Sequence, residues 1–140
     1  MTRKQITIPV AGPAYHQKNL ASVLTHKNRF YYAPDDTIID FARNKPNYTV
    51  FEYKRERCSL EVYHEPDNAH DPGALKVLAN GVFIGYVPQD ERHHLLEMSM
   101  LPGLSMRVDV FGGNYKTVLN GELFSQSSRL KAVMIFEYDA

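Results

Sequence analysis

One short turn, residues 65–73, holds the polar side chains best suited to binding chemistry. Asn68, His70 and Asp71 lie within it, together with two prolines. Proline fixes φ and lacks a backbone donor, while Asn and Asp side chains hydrogen-bond to neighbouring amides, so such a loop is rigid. A rigid loop that carries an amide, an imidazole and a carboxylate predicts a small polar site, although an ordinary β-turn connection explains the same composition.

The other reactive side chains do not form a catalytic or metal-binding pattern. Of the six histidines, none are spaced i, i+4, and His93 and His94 are adjacent, which suits one face of a helix poorly. Cys58 is the only cysteine and lacks a triad-like context. A nuclease site at Asp67 and Asp71 is not needed, because the turn alone accounts for both acids. With no phosphate-binding Gly-rich loop, we expect a protein that is not an enzyme and has no metal or cofactor.

The loop at residues 65–73 connects apolar runs that alternate like β-strands. The runs cover residues 60–62, 74–78 and 82–86. Asn80 and Gly81 separate the last two, and Asn-Gly between apolar runs is the strongest short-range signal of a type I′ hairpin turn. The sequence therefore predicts that the second and third runs pair, with the polar loop at the edge of their sheet.

These residues resemble a known family. Residues 65–77 follow the pattern acidic-Pro-x-Asn-x-x-Asp-x-x-Ala-apolar-x-Val, and residues 84–88 follow the pattern apolar-Gly-aromatic-apolar-Pro. Both patterns are similar to the signature of the HIRAN domain. Upstream, residues 10–15, with Gly12 and Tyr15, resemble the opening strand of that family.

The resemblance covers about residues 6–24 and 60–111, and it implies one HIRAN-like domain over residues 1–140. An insertion at about residues 25–57 has no counterpart in it. HIRAN domains are OB-like β-barrels. The element pattern itself, six or more short strands with two or three short helices, favours a small barrel or bent sheet over a parallel α/β fold. We therefore expect a mainly β protein, a small OB-like β-barrel with a helical insertion.

The HIRAN family is associated with recognition of the free 3′ end of single-stranded DNA. By this resemblance, Tyr15 stacks on a base and Asp71 accepts a hydrogen bond from the terminal hydroxyl. The residues that the resemblance assigns to the rest of the pocket are Asn68, His70, Tyr86 and Phe111. The implied function is non-catalytic binding of single-stranded DNA or another nucleic-acid end.

The charge balance limits how such a protein holds nucleic acid. Lys plus Arg and Asp plus Glu each number 16, so the net charge is zero and no extended polyanion-binding surface is expected. The candidate phosphate contacts are Lys54, Arg55, Arg57 and Lys76. Charges at a strand corner also suit a solvated edge that blocks strand addition.

A second interpretation comes from three consecutive aromatics in the insertion, Phe30, Tyr31 and Tyr32. Most clusters of this kind pack against a core. If these rings are instead presented to a partner, the chain is a protein-interaction module. Since no apolar run approaches the ~18 residues that a membrane helix needs, we expect a cytoplasmic protein with no membrane contact.

The remaining elements follow from periodicity and turn signals. Further strands are predicted at residues 5–10, 49–53, 104–111, 115–119, 122–124 and 132–138, and helices at residues 17–26, 37–43 and 90–100. Asp35 or Asp36 is expected to cap the second helix and Asp90 the third. Residues 112–114 are expected to end a strand, Asn120-Gly121 to form a second hairpin turn, and residues 49–53 to form a hairpin with the strand that begins at Leu60.

Overall fold

The computed structural model describes residues 2–140, and it confirms a mainly β protein with two antiparallel sheets and short helices. The first sheet has the order β1 (Arg3–Pro9), β8 (Glu122–Asp139), β7 (Ser105–Leu119) and β2 (Tyr48–Phe51), with β3 (Glu56–Cys58) also paired to β7. The second has the order β4 (Leu60–His64), β5 (Leu75–Ala79) and β6 (Val82–Tyr86). The helices are α1 (Gln17–Val23), α2 (Asp35–Ala42) and α3 (Arg92–Met98), and 3-10 turns lie at Pro13–Tyr15, Arg29–Tyr32 and Gln89–Glu91.

Both predicted Asn-Gly turns are confirmed. The φ angles are 50° at Asn80 and 82° at Gly81, and 52° at Asn120 and 79° at Gly121. Positive φ at both central residues is the requirement of a type I′ turn. The first turn joins β5 to β6, and the second joins β7 to β8.

The main core lies between the two sheets. Alternate residues of the strands point inward, as a period of two requires. The large side chains that are almost fully buried include Ile8, Leu20, Ile84, Met98, Met134 and Phe136. One apolar cluster therefore draws on both sheets and on helices α1 and α3.

The two sheets approach each other at two corners, although neither sheet is closed in residues 2–140. At one corner, backbone hydrogen bonds of 2.8 and 3.0 Å join Ala11 to Tyr86. At the other, only Ser59 separates β3 from β4, and its amide donates to Asn80 Oδ1 over 2.8 Å. The first contact requires Gly85, because a Cβ there would lie 2.5 Å from the Ala11 carbonyl oxygen.

The insertion covers the far end of the long β7–β8 hairpin. Ile38 and Ala42 of α2 pack with Val118 of β7 in a small second cluster, and Phe30 and Tyr48 pack against it. The predicted hairpin between residues 49–53 and the Leu60 strand is wrong, because both β2 and β3 pair with β7. The physical reason is that β7 and β8 extend beyond the main core and expose apolar side chains, which β2 and α2 cover.

Three predictions about element ends are also wrong. Residues 112–114 do not end a strand, because β7 continues through a register shift between Phe111 and Gly113. The N-cap of α2 is Pro34, and Asp35 and Asp36 lie in its first turn, where they favour the helix dipole without a capping hydrogen bond. Asp90 lies in a 3-10 turn before α3 and does not cap it.

Candidate functional site

The loop at residues 65–73 is ordered by its own side chains. Asn68 Oδ1 accepts hydrogen bonds from the backbone amides of His70 and Asp71, both at 3.0 Å, and Asn68 Nδ2 donates to Glu65 Oε1 over 2.8 Å. The ring of His64 contacts the carbonyl oxygen of residue 72 at 2.8 Å. Asn68 therefore organises the loop, while His70 is left exposed at its tip.

Asp71 is paired with a residue that the sequence analysis did not identify. Both of its carboxylate oxygens accept hydrogen bonds from the guanidinium of Arg92, the first residue of α3, and the Oδ1 to Nη1 distance is 3.2 Å. The Oδ1 atom also accepts from the amide of Gly73 over 3.1 Å. The hydrogen bond from Arg92 lowers the pKa of the Asp71 carboxyl from its usual value. Asp71 is thus an ionised acceptor at neutral pH.

Tyr86 connects β6 to this loop. Its hydroxyl donates to Glu65 Oε1 over 3.0 Å and lies 3.5 Å from Asn68 Nδ2. Burial, and then the hydrogen bond to Glu65, raises the pKa of Tyr86. The ring therefore remains a neutral wall, fixed to the loop through its hydroxyl.

An aromatic cluster of His16, Phe83 and Tyr86 lies beside the loop. The ring centroid of His16 is 4.6 Å from that of Phe83 and 6.5 Å from that of Tyr86. Tyr15, the neighbour of His16 in the chain, is 88% exposed. Lys76 Nζ is 6.0 Å from the Phe83 ring. His16 was missed because nothing near it in the sequence signals a contact with β6.

Phe111 lies in a different neighbourhood. It is half-buried on β7, and the Arg55 guanidinium is 4.6 Å from its ring centroid. Both residues line a cleft of about 520 Å³, together with Pro13 and Lys131. Because Pro13 begins the 3-10 turn that carries Tyr15, the cleft adjoins the base of that turn.

Arg55 is held by a buried carboxylate that the sequence analysis also missed. Asp109 is 2% exposed, and its Oδ2 accepts from Arg55 Nε over 2.7 Å. Its Oδ1 accepts from Arg107 Nε over 3.0 Å, and Arg107 also donates to Glu137. A buried carboxylate needs such partners, so the charge of Arg55 is largely compensated within the sheet.

Two of the other predicted phosphate contacts lie in or just before β3, and the third lies on β5. Arg57 is exposed on β3, where it pairs with a β7 residue, and Lys54 is exposed in the connection before β3. Lys76 alone among the four is recorded against the aromatic cluster in the described residues. The structure therefore provides one cation at the cluster rather than a basic groove.

The aromatics of the insertion are mostly packed. Phe30 contacts Phe41, with ring centroids 5.0 Å apart. Tyr31 is half-buried beneath Lys116, whose Nζ is 4.6 Å from the ring. Tyr32 is 50% exposed, and its hydrogen bond to Glu52 raises its pKa to about 12.

Cys58 is buried in the main core. Burial raises the pKa of its thiol to about 11, so it is a thiol rather than a thiolate at neutral pH. Within residues 2–140, no group of three or more His, Cys, Asp or Glu side chains is arranged to hold a metal ion. Over the same residues, no helix is both long and apolar enough to cross a membrane.

No protein-family model, curated protein or solved structure matches the chain at a significant level. The resemblance to HIRAN domains accordingly stays a prediction. The geometry offers an exposed tyrosine, a fixed aromatic cluster and an ionised carboxylate on a rigid loop. Such a set can stack a planar group and accept a hydrogen bond from a donor.

Proposed function

We propose that this chain is a HIRAN-type module, and that it binds the 3′ end of single-stranded DNA without catalysing a reaction. The carrying observation is the chain of contacts from the aromatic cluster to Asp71. Tyr86 of that cluster is hydrogen-bonded to Glu65 and Asn68, and Asn68 orders the backbone of Asp71. Tyr15 is exposed and directly precedes His16 of the cluster in the chain. A stacking surface and a hydroxyl acceptor thus belong to one connected unit.

The proposal includes an OB-like barrel. Its support is the approach of the two sheets at both corners, where Ala11 bonds to Tyr86 and Ser59 alone separates β3 from β4. The absence of a side chain at Gly85 permits the first approach. The proposed site lies at this corner, because Tyr86 belongs to both the corner and the aromatic cluster.

The proposed selectivity for an end follows from hydrogen bonding at Asp71. A carboxylate oxygen accepts a hydrogen bond from a free hydroxyl, whereas a phosphate in the same place brings acceptor oxygens and offers it no such donor. Stacking of a base on Tyr15 contributes ~1–3 kcal/mol without a basic surface. The proposed site therefore binds a strand that ends in a 3′ hydroxyl more tightly than a strand that continues past this position.

The direct test is fluorescence anisotropy with short single-stranded DNA labelled at the 5′ end. One oligonucleotide carries a free 3′ hydroxyl, and a second of the same sequence carries a 3′ phosphate. We expect the second oligonucleotide to bind about tenfold more weakly or worse, since the charge-assisted hydrogen bond from the 3′ hydroxyl to Asp71 is lost. Equal affinities, or no binding of either, would contradict the proposal.

Paired variants separate the two functional interpretations. Replacing Tyr15 by Ala is expected to remove ~1–3 kcal/mol of stacking and to weaken DNA binding about fivefold or more, whereas replacing Tyr31 and Tyr32 by Ala should leave it unchanged. Circular dichroism checks that both variants fold. If the Tyr31 and Tyr32 variant loses DNA binding while the Tyr15 variant keeps it, the site assignment is wrong.

A further inference from the structure

Within residues 2–140, strand β4 pairs along one edge only, because it is the outer strand of its sheet. Its residues pair with β5 from Leu60 opposite Ala79 to His64 opposite Leu75. Two backbone hydrogen bonds at the ends of this ladder show which residues of β4 bond to β5. The Asn80 amide donates to the Ser59 carbonyl, and the Glu65 amide donates to the Ala74 carbonyl. Since bonded and non-bonded pairs alternate in an antiparallel ladder, the amides and carbonyls of Leu60, Val62 and His64 point away from β5.

An apolar groove runs beside that edge. It has a volume of about 330 Å³ and lies between β4, α3 and the start of β7. The apolar side chains that line it include Leu60, Val62, Leu75, Leu95, Leu96 and Met106. Two of them are well exposed, Leu96 at 69% and Met106 at 53%. The groove is therefore open to a ligand from solution.

Among the described residues, Arg92 is the charged one that lines the groove. Its terminal guanidinium nitrogens are bound by Asp71, so its charge is compensated. A compensated ion pair at the end of an apolar groove offers no net attraction to an anion. The groove consequently favours uncharged, apolar side chains.

We propose that this groove binds an extended segment of a partner polypeptide, which adds a strand to the free edge of β4. Only a polypeptide backbone repeats donors and acceptors every second residue, ~6.8 Å, as the edge of β4 does. Alternate apolar side chains of the segment enter the groove, and the intervening ones face solvent. A lipid or a small apolar molecule fills the groove but leaves the β4 edge unpaired. The inference is independent of the proposed nucleic-acid site.

The test uses two synthetic heptapeptides, Lys-Val-Thr-Val-Thr-Val-Lys and a version N-methylated at its three valines. Amide spectra of the ¹⁵N-labelled protein are recorded with each peptide at millimolar concentration. We expect the parent peptide to shift the amide signals of Leu60, Val62 and His64. We expect the methylated peptide to shift them much less, because strand pairing needs the peptide amides. No shift with the parent peptide, or equal shifts with both, would overturn the proposal.

Matched variants locate the binding. Leu96→Glu and Met106→Glu each place a charge in the groove. Each is expected to weaken binding of the parent peptide about tenfold or more. Phe124→Glu is the control, since Phe124 is 41% exposed on the distant hairpin. Light scattering at the same concentrations must show a monomer. A dimer that protects the β4 amides would assign the groove to a second copy of the chain and reject the peptide proposal.

Discussion

At the scale of the residue, Asp71 joins the loop at residues 65–73 to helix α3. Its Oδ1 accepts from the Gly73 amide within the turn, while Arg92, 21 positions away, binds both carboxylate oxygens. Arg92 Nε is buried without a hydrogen-bond partner in the described residues. Buried donors without a partner are uncommon. The side-chain hydrogen bonds that orient the Arg92 guanidinium are those to Asp71.

The Asp71–Arg92 pair predicts a pH dependence of stability. Arg92 lowers the pKa of Asp71 below its usual 3.8, so the pair stabilises the fold above that value and is lost as the pH falls through the lowered pKa. Asp71→Asn should therefore lower the melting temperature by a constant amount between about pH 5 and 7, and by progressively less below about pH 4. Thermal unfolding followed by circular dichroism measures both ranges.

Asp67→Asn is the matched control, because Asp67 is exposed in the same loop. Its melting temperature should follow the parent protein at every pH. A deficit in Asp71→Asn that persists unchanged at acidic pH would show that the carboxylate acts only through shape and turn geometry, and not through its charge.

At the scale of elements, the contact between β6 and the two residues that follow β1 depends on Gly85. A Cβ there would lie 2.5 Å from the Ala11 carbonyl oxygen and 2.6 Å from Val10 Cγ1. Gly85→Ala should therefore destabilise the protein by ~3 kcal/mol or more, since backbone and core must both shift. Gly81→Ala should cost only ~1–2 kcal/mol, because Gly81 also has positive φ but nothing within 4 Å of its Cβ position. Urea denaturation measures the free energy of unfolding of both variants. Equal losses would mean that the backbone at this corner can shift to accept a Cβ at position 85.

At the scale of the whole molecule, the net charge of zero limits the DNA affinity that the proposed function allows. Arg55 and Arg92 are each paired with a carboxylate, and Lys76 lies beside the aromatic cluster. DNA affinity should therefore reflect about two or three phosphates, a log-log salt slope of roughly −1.4 to −2.1 for a single strand. Anisotropy titrations between 50 and 200 mM salt measure this slope. A slope steeper than about −5 would reveal a basic groove.

Short-range features of this protein are determined by the sequence alone. The Asn80-Gly81 and Asn120-Gly121 turns adopt the predicted positive φ angles, because those angles depend on the residues themselves. The hydrogen bonds from Asn68 to its neighbours in the loop are equally local. Alternation also predicted most strands and the mainly β class, since a period of two needs only one buried face.

Long-range partners were decided only by the tertiary structure. The pairing of β2 and β3 with β7, the bond between Asp71 and Arg92, and the packing of His16 on Tyr86 each join segments that no local pattern connects. A strand edge or an ionised side chain accepts many partners of the same type, and the energies of the alternatives differ little. The path of the whole chain selects among them, because it determines which groups share a buried space.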